Sequence, residues 1–395
     1  MSTTALHHLE HLSVAIGPRG SATAKEKAGH DYVQQILTEQ GHSVRAESFH
    51  SGTSAYLPFI LALSVVLLAE AIFYFARPTD NAAMGGLAAL ALCALATTSA
   101  ILELLARDNP LRWFLASEPS QNIIAITPAR GERQRTVAVL AHVDTHRTPL
   151  FWRTADSYRI FRVIMTLGLI SLAVLNMVFL IGTFAPNAAL SPISLVPAGI
   201  VLVALLMSLQ AQFSPFTAGA NDNASGVGVL LALAEKAKQE PLANTELWWV
   251  ATGCEEVGAY GSADFIRRHA DALTEGGAAL VVDSVGAHGA GPIYLTREGL
   301  LKPLAHSEAL LALADQIAAD QPALGAGRCD VQNPYTDASP ALQAGLKALA
   351  FVGYNRRGWI PNWHNPTDVF ANVDADAIDR TERFVWEMLQ RLDAT

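Results

Sequence analysis

Five short stretches of this chain hold side chains that bind metals or move protons, and the strand-like runs before them recur. His142-Val143-Asp144 follows Thr136 to Ala141 (TVAVLA), and Gly219 to Gly226 (GANDNASG) opens a helical pattern. Glu255 and Glu256 follow Glu246 to Thr252 (ELWWVAT), and Asp283 follows Ala278 to Val282 (AALVV). His364 lies in Trp363-His364-Asn365-Pro366-Thr367-Asp368. Imidazole nitrogens and carboxylate oxygens are ligands for zinc-like ions, and a carboxylate beside such an ion is a ready general base. Singly, each stretch has an ordinary structural origin: a satisfied polar pair, a solvated double-glutamate turn, a helix cap. Their placement after successive strands is what points to one centre, because ligand sites in open α/β sheets gather at the carboxyl ends of strands.

The elements that must position these groups alternate strand and helix. Ala22 to Gln40 has a helical pattern ended by Gly41, a residue suited to the left-handed position past a helix C-terminus. His42 to Phe49 and Asn122 to Thr127 alternate like strands, and TVAVLA suits a strand buried on both faces. Further helices are expected over Ala224 to Lys238, Ala259 to Ala270 and Ala375 to Leu392, and further strands over Glu246 to Thr252, Ala278 to Val282 and Ala348 to Val352. This pattern predicts an α/β fold, a mainly parallel mixed sheet flanked by helices.

Composition adds a second component. The 395 residues are 51% hydrophobic and only 16% charged, against about 25% charged in ordinary soluble domains. A net charge of −9 argues against a nucleic-acid partner. Cys93, Cys254 and Cys329 show no CxxC spacing and make no disulfide framework. Four segments are long and apolar enough to span a bilayer, which takes about 20 residues: Leu57 to Ala76, Ala82 to Leu105, Val163 to Phe184 and Pro192 to Gln210. The short turns Arg77 to Asn81 and Ala185 to Ser191 make them two hairpins, so the remainder lies on one side of the bilayer. Arg45, Arg107, Arg112, Arg153, Arg159 and Arg162 stand on that side, against Arg77 and Asp80 on the other. The positive-inside rule therefore predicts a cytoplasmic soluble part. The opening MSTTALHHLEHLS, without a basic-then-apolar leader, agrees. The expected organisation is one α/β domain from 1–55, 106–160 and 211–395, interrupted by transmembrane hairpins at 56–105 and 161–210. Glu70, inside a span, is expected to be protonated or to face the membrane interface.

The order of the motifs resembles the co-catalytic zinc aminopeptidases, the metallopeptidase family that also includes glutaminyl cyclase. That family runs HxD, GAxDNASG, EExG with a following GS, Asp, then His near the C-terminus. Here HVD, GANDNASG, EEVGAYGS, VVDSVG and WHNPTD occur in that order. The stretch IGPRGSATAKEKAGHDYVQQILTEQGHSV also looks like the family's opening helix. The resemblance covers the whole soluble part and omits only the hairpins. It implies two co-catalytic Zn²⁺ ions bridged by Asp222, with His142 and Asp283 completing one site and Glu256 and His364 the other. It also implies that Asp144 holds the tautomer of His142. Glu255 would be the general base, taking a proton from the zinc-bridging water and returning it to the leaving amine. The function so implied is a membrane-embedded di-zinc exopeptidase, an aminopeptidase acting on peptides.

Departures from the family pattern bear on the substrate. Trp363 stands where many aminopeptidase relatives have Tyr, and glutaminyl cyclases resemble the chain at that spot. The family stretch SDHxPF becomes Thr336-Asp337-Ala338-Ser339-Pro340, its His replaced by Ala338, which leaves Asp337 to face a substrate amine or amide. EEVGAYGS keeps the aminopeptidase form and favours hydrolysis. Glutaminyl cyclase-like activity and hydrolysis of an amide in a membrane-derived substrate remain as alternatives. A non-catalytic scaffold is disfavoured, because none of the implied ligands is missing. His146 falls outside the motifs and is left out of the site. Trp248, Trp249 and Cys254 are read as packing, and His7, His8 and His11 as a solvated helix face.

Overall fold

The computed structural model describes residues 3–105, 107–185, 187–274, 276–299, 301–330, 335–355 and 358–395. Its helices are α1 (Thr3–Glu10), α2 (Ala24–Glu39), α3 (Leu57–Ala76), α4 (Ala82–Leu104), α5 (Ala155–Phe184), α6 (Leu190–Gln212), α7 (Gly226–Gln239), α8 (Tyr260–His269), α9 (Glu308–Asp320), α10 (Ser339–Gln343) and α11 (Ala375–Ala394). Its strands are β1 (Ser43–Gly52), β2 (Ser117–Thr127), β3 (Arg135–His142), β4 (Thr245–Thr252), β5 (Ala278–Asp283), β6 (Ile293–Leu295), β7 (Arg297–Glu298), β8 (Leu304–Ala305), β9 (Gly327–Cys329) and β10 (Ala348–Val352). They form two compact units. Met1–Thr53, Ser117–Arg147 and Phe216–Thr395 make the first, Ser54–Ala116 and Thr148–Pro215 the second.

The first unit is built on an eight-stranded sheet in the order β1-β2-β4-β3-β5-β10-β6-β9. Its centre is parallel, with β3 between β4 and β5 and β10 beyond β5. β1, β2 and β6 join antiparallel, so the sheet is mixed with a parallel heart. Successive side chains point to opposite faces, and β3 uses both. Val137, Val139 and Ala141 pack into a core with α2, α7, α9 and α11, whereas Ala138 and Leu140 pack into one with α8 and α10. Trp249 and Cys254 are fully buried, as their packing roles predict. The N-terminal histidines differ from expectation. His8 is buried, its Nδ1 lies 2.7 Å from the Tyr32 hydroxyl, and His11 stacks on the same ring.

Each insertion leaves and re-enters this unit through a backbone pairing. Gly52 is opposite Ser117 at the end of the β1–β2 ladder, and Arg147 bridges Phe216. Ends held together in this way let a sheet carry a long insertion without altering its register.

The second unit is a ring of four helices in which α3, α4, α5 and α6 each pack on the next and α6 returns to α3. All four are long and apolar enough to cross a membrane. The buried faces of α4 and α6 are built mostly from small residues, while α3 and α5 bury Phe73, Leu172, Leu175 and Phe179. On α4 the small residues are Gly85, Gly86, Ala89, Cys93 and Ala96, and a Cβ on Gly86 would come within 3.1 Å of the Thr183 backbone. Leu68, Phe75, Met84, Ile170, Met177 and Leu206 point outward and are more than half exposed. Glu70 differs from an interface-facing acid: it is buried, and its Oε1 accepts a hydrogen bond from Ser194 Oγ at 2.7 Å. α5 also begins earlier than the apolar run, at Ala155, where Thr154 and Ser157 form a reciprocal cap. Arg159 and Arg162 end the apolar stretch but not the helix, since arginine is a good helix former.

Candidate active site

The parallel centre puts the carboxyl ends of β3, β4, β5 and β10 along one edge of the sheet. His142 is the last residue of β3 and Asp283 the last of β5, while Glu255 and Glu256 follow β4. The chain turns sharply at these ends. Cys254 (φ +56°), Ser284 (φ +54°) and His364 (φ +51°) all adopt left-handed backbone, which costs of order 1–3 kcal/mol each for a non-glycine residue and persists where the surroundings dictate it. Asp222 sits in an interrupted helical turn before α7, and its peptide bond to Asn223 is cis. Gly219 (φ +61°) precedes it, where a Cβ would lie 2.2 Å from Thr145 Cγ2 and 2.5 Å from the Asp222 carbonyl oxygen.

These turns bring the metal-type residues into two trios that share Asp222. His142 Nε2 lies 3.3 Å from Asp222 Oδ1 and 3.6 Å from Asp283 Oδ1. His364 Nε2 lies 3.2 Å from Asp222 Oδ2 and 3.3 Å from Glu256 Oε2. Each trio offers one imidazole nitrogen and two carboxylate oxygens, and the two oxygens of Asp222 serve different trios. Asp222 Oδ2 and Glu256 Oε1 are buried without a hydrogen-bond partner among the described residues. Buried carboxylate oxygens in that state call for a cation, and the mixed nitrogen and oxygen donors fit zinc. Burial lowers the affinity of His142 for a proton, but Asp144, Asp222 and Asp283 overcome it and hold the imidazole well above its usual range. Burial pushes Glu256 well above the usual carboxylate range, and Asp222 adds to the effect.

The sequence model described as Peptidase family M28 matches residues 197–389. Residues 197–389 carry the peptidase family M28 pattern. The matched stretch contains Asp222, Glu255, Glu256, Asp283 and His364, while His142 and Asp144 precede it. No curated protein matches the sequence. Among solved structures, BSAP, a zinc aminopeptidase from Bacillus subtilis, superposes with a TM-score of 0.60 at 15% identity, over 98% of this chain and 94% of that one. Porphyromonas gingivalis glutaminyl cyclase gives 0.57 at 16%, over 99% and 98%. A Zn-dependent exopeptidase from Parabacteroides distasonis gives 0.55 at 14%, over 98% and 97%. The mixed sheet flanked by helices is thus the zinc aminopeptidase fold.

Within this site Asp144 has more partners than an orienting role alone needs. Its Oδ1 is 3.5 Å from His142 Nδ1, and its backbone oxygen is closer, at 3.2 Å. The carboxylate accepts the amides of Glu255 (3.0 Å) and Glu256 (3.1 Å) and the Ser21 hydroxyl (2.6 Å). It therefore lies beneath His142 and also pins the backbone of the glutamate pair. Burial opposes its charge, yet His142 first, and then the Ser21 hydroxyl and the Glu255 amide, hold Asp144 below the ordinary range. The Glu255 carboxyl is pushed well above its usual range by burial, against the pull of His142 and with Glu256, Asp283 and Asp337 adding to the rise.

Asp337 is wholly buried and accepts the Thr252 hydroxyl at 2.5 Å, with burial raising it to about 6. Trp363 is half-buried, its ring centred 4.5 Å from that of His364.

His146, omitted from the sequence-derived site, stands inside it. His146, Glu256 and His364 form a group of potential ligands. The His146 ring, however, stacks on His364 at 3.6 Å with 16° between planes, and its Nδ1 contacts the Arg147 carbonyl at 2.7 Å. In-plane lone pairs of near-parallel rings run side by side and do not converge, so one ion takes one of them. His364 has the carboxylate partners; His146 backs it. Burial and the neighbouring His364 keep His146 well below its usual pKa, so the stack is not one of two cations.

Two acids outside the sequence-derived ligand set also hold the site's backbone. Asp368 accepts the amides of Asn221 (2.6 Å) and Asp222 (3.1 Å). Glu26 accepts the Cys254 amide (2.8 Å) and the Ser120 hydroxyl (2.9 Å), fixing the turn before Glu255. The only signal for Asp368 was its place in WHNPTD. Glu26 is an acid in the first turn of α2, a common place for one, and carries no spacing signal.

Proposed function

We propose that this protein is a membrane-embedded di-zinc aminopeptidase that hydrolyses N-terminal residues from peptides. The observation that carries the reading is the shared Asp222, whose two oxygens face two imidazole–carboxylate trios with Glu255 adjoining one of them. Two zinc ions there would supply Lewis acidity to the scissile carbonyl and acidify the attacking water. Glu255 takes the proton from that water and passes it to the departing amine. Asp144 keeps His142 oriented and the Glu255 backbone in place. Asp337 and Trp363 are assigned to the substrate side of the site.

The structural relatives named as a zinc aminopeptidase and a Zn-dependent exopeptidase support hydrolysis. Trp363 favours glutaminyl cyclase-like activity as the second reading, in line with the cyclase relatives. A pool of synthetic peptides, including members with N-terminal Gln and with blocked N-termini, separates these by mass spectrometry. Loss of single residues from free N-termini is expected. Loss of ammonia alone from Gln peptides would move the assignment to cyclase, and cleavage of blocked peptides would refute an aminopeptidase.

Four helices long and apolar enough to cross a membrane, with large apolar side chains facing outward and small residues on the buried face of α4, support insertion in a bilayer. The arginine asymmetry supports a cytoplasmic catalytic unit. Membranes washed in alkaline carbonate should retain the chain. In sealed inside-out vesicles added protease should digest residues outside the four helices, and protection there would reverse the orientation.

A further inference from the structure

Arg19 is fully buried, and its guanidinium donates to five backbone carbonyls drawn from three distant parts of the chain. Nη1 reaches Leu12 (2.7 Å), Gly17 (2.8 Å) and Ala218 (3.0 Å). Nε reaches Val143 (2.8 Å), between His142 and Asp144, and Nη2 reaches Gly219 (3.0 Å), three residues before Asp222. Its backbone is tied to the same region, since the Arg19 amide donates to Thr145 Oγ1 (2.9 Å) and the Thr145 amide donates to the Arg19 carbonyl (3.1 Å). Only a planar fork of five N–H donors serves so many acceptors from one point. There is no slack around it. A Cβ on Gly29 would stand 3.1 Å from Arg19 Cδ, and one on Gly219 would stand 3.1 Å from Nη2. Burial lowers Arg19 to about 10, opposed by the charges of Asp368, Asp144 and Asp222, so it stays a cation at neutral pH.

Asp368 completes the grip from the other polarity. Arg19 takes the carbonyls of residues 218 and 219, and Asp368 takes the amides of residues 221 and 222. A buried guanidinium and a buried carboxyl group therefore hold the five-residue segment that carries the shared carboxylate. Arg19 alone also reaches the His142 loop, whose chain is separated from Asp222 by the whole second insertion.

We propose that Arg19 is a positioning residue for the metal centre, fixing the His142 loop against the Asp222 loop so that both Asp222 oxygens stay aimed at their separate trios. This inference rests on the di-zinc reading above. Two effects of removing Arg19 have opposite signs, which makes the proposal decidable. A guanidinium beside a cation site repels the metal, so electrostatics alone predicts tighter zinc binding when its charge is removed. Positioning predicts weaker binding, and chiefly of the second ion, because a misaligned Asp222 still serves one ion but not two.

The test is calorimetric titration of Zn²⁺ into metal-free, detergent-purified full-length protein, with the Co²⁺ absorption spectrum as a second readout. Wild type is expected to bind two equivalents. Arg19→Met should weaken the second by tenfold or more and alter the Co²⁺ bands of the two-ion form. Arg19→Lys, which keeps the charge but reaches fewer carbonyls, should fall between, and it serves alone if the Met variant does not fold. Free guanidinium should restore part of the second-site affinity to Arg19→Ala. Two equivalents bound by the variants as tightly as by wild type, or more tightly, would overturn the proposal. Wild type that binds no zinc would overturn the di-zinc reading itself, and this inference with it.

Discussion

Glu255→Gln is expected to lower kcat on a peptide or N-terminal amide substrate by about 10²–10⁴-fold, the usual contribution of a general acid–base group. The amide matches the carboxyl in size but takes up no proton. Glu255 belongs to neither trio, so the zinc content of the variant should equal that of wild type. Metal analysis beside steady-state kinetics therefore isolates proton transfer from binding. Activity within a few-fold of wild type, with zinc intact, would remove Glu255 from the reaction and leave the glutamate pair a purely structural turn.

Asp222→Asn should have the broader effect, because one side chain serves both trios. An amide nitrogen replaces one of the oxygens that lie 3.3 and 3.2 Å from His142 and His364. Bound zinc should fall from two equivalents to one or fewer, and activity below detection. A ligand that binds only the folded state at a thousand times its Kd adds about 4 kcal/mol of stability. The wild-type melting temperature should accordingly rise on adding zinc, and the variant should lose most of that rise. A variant that retains two tightly held ions would show that Asp222 does not bridge.

Much of this architecture is legible in the sequence, for physical reasons that differ by element. β3, β4, β5 and β10 are buried on both faces, so each appears as an unbroken apolar run. The four long helices announce themselves by length and lack of charge. The residues of the trios are found because their types are rare together and their order matches a known pattern. What escapes is held by backbone. Asp368, Glu26 and Arg19 bond to amides and carbonyls of residues far away in the chain, and any sequence supplies an amide or a carbonyl. His146 escapes because stacking on His364 leaves no spacing signature. β6 to β9, two or three residues each, are too short to show a period. The start of α5 was hidden by its charge, since an arginine limits an apolar run without limiting a helix.

The pairing of β3 with β4 and β5 has a consequence for how the protein comes into being. A ribosome makes β3 and His142 first, then the whole second insertion, and only afterwards Asp222, Glu256, Asp283 and His364. At roughly 5–20 residues per second, about 10–45 s separate the first ligand from the last. Until β4, β5, Asp222 and Asp283 have been made, β3 has neither of its sheet neighbours and His142 lacks its carboxylates, and the second trio waits for His364 itself. A nascent chain is therefore catalytically silent until the residues around His364 have emerged. On the proposed mechanism, unfinished or prematurely released copies would carry no hydrolytic activity toward their surroundings.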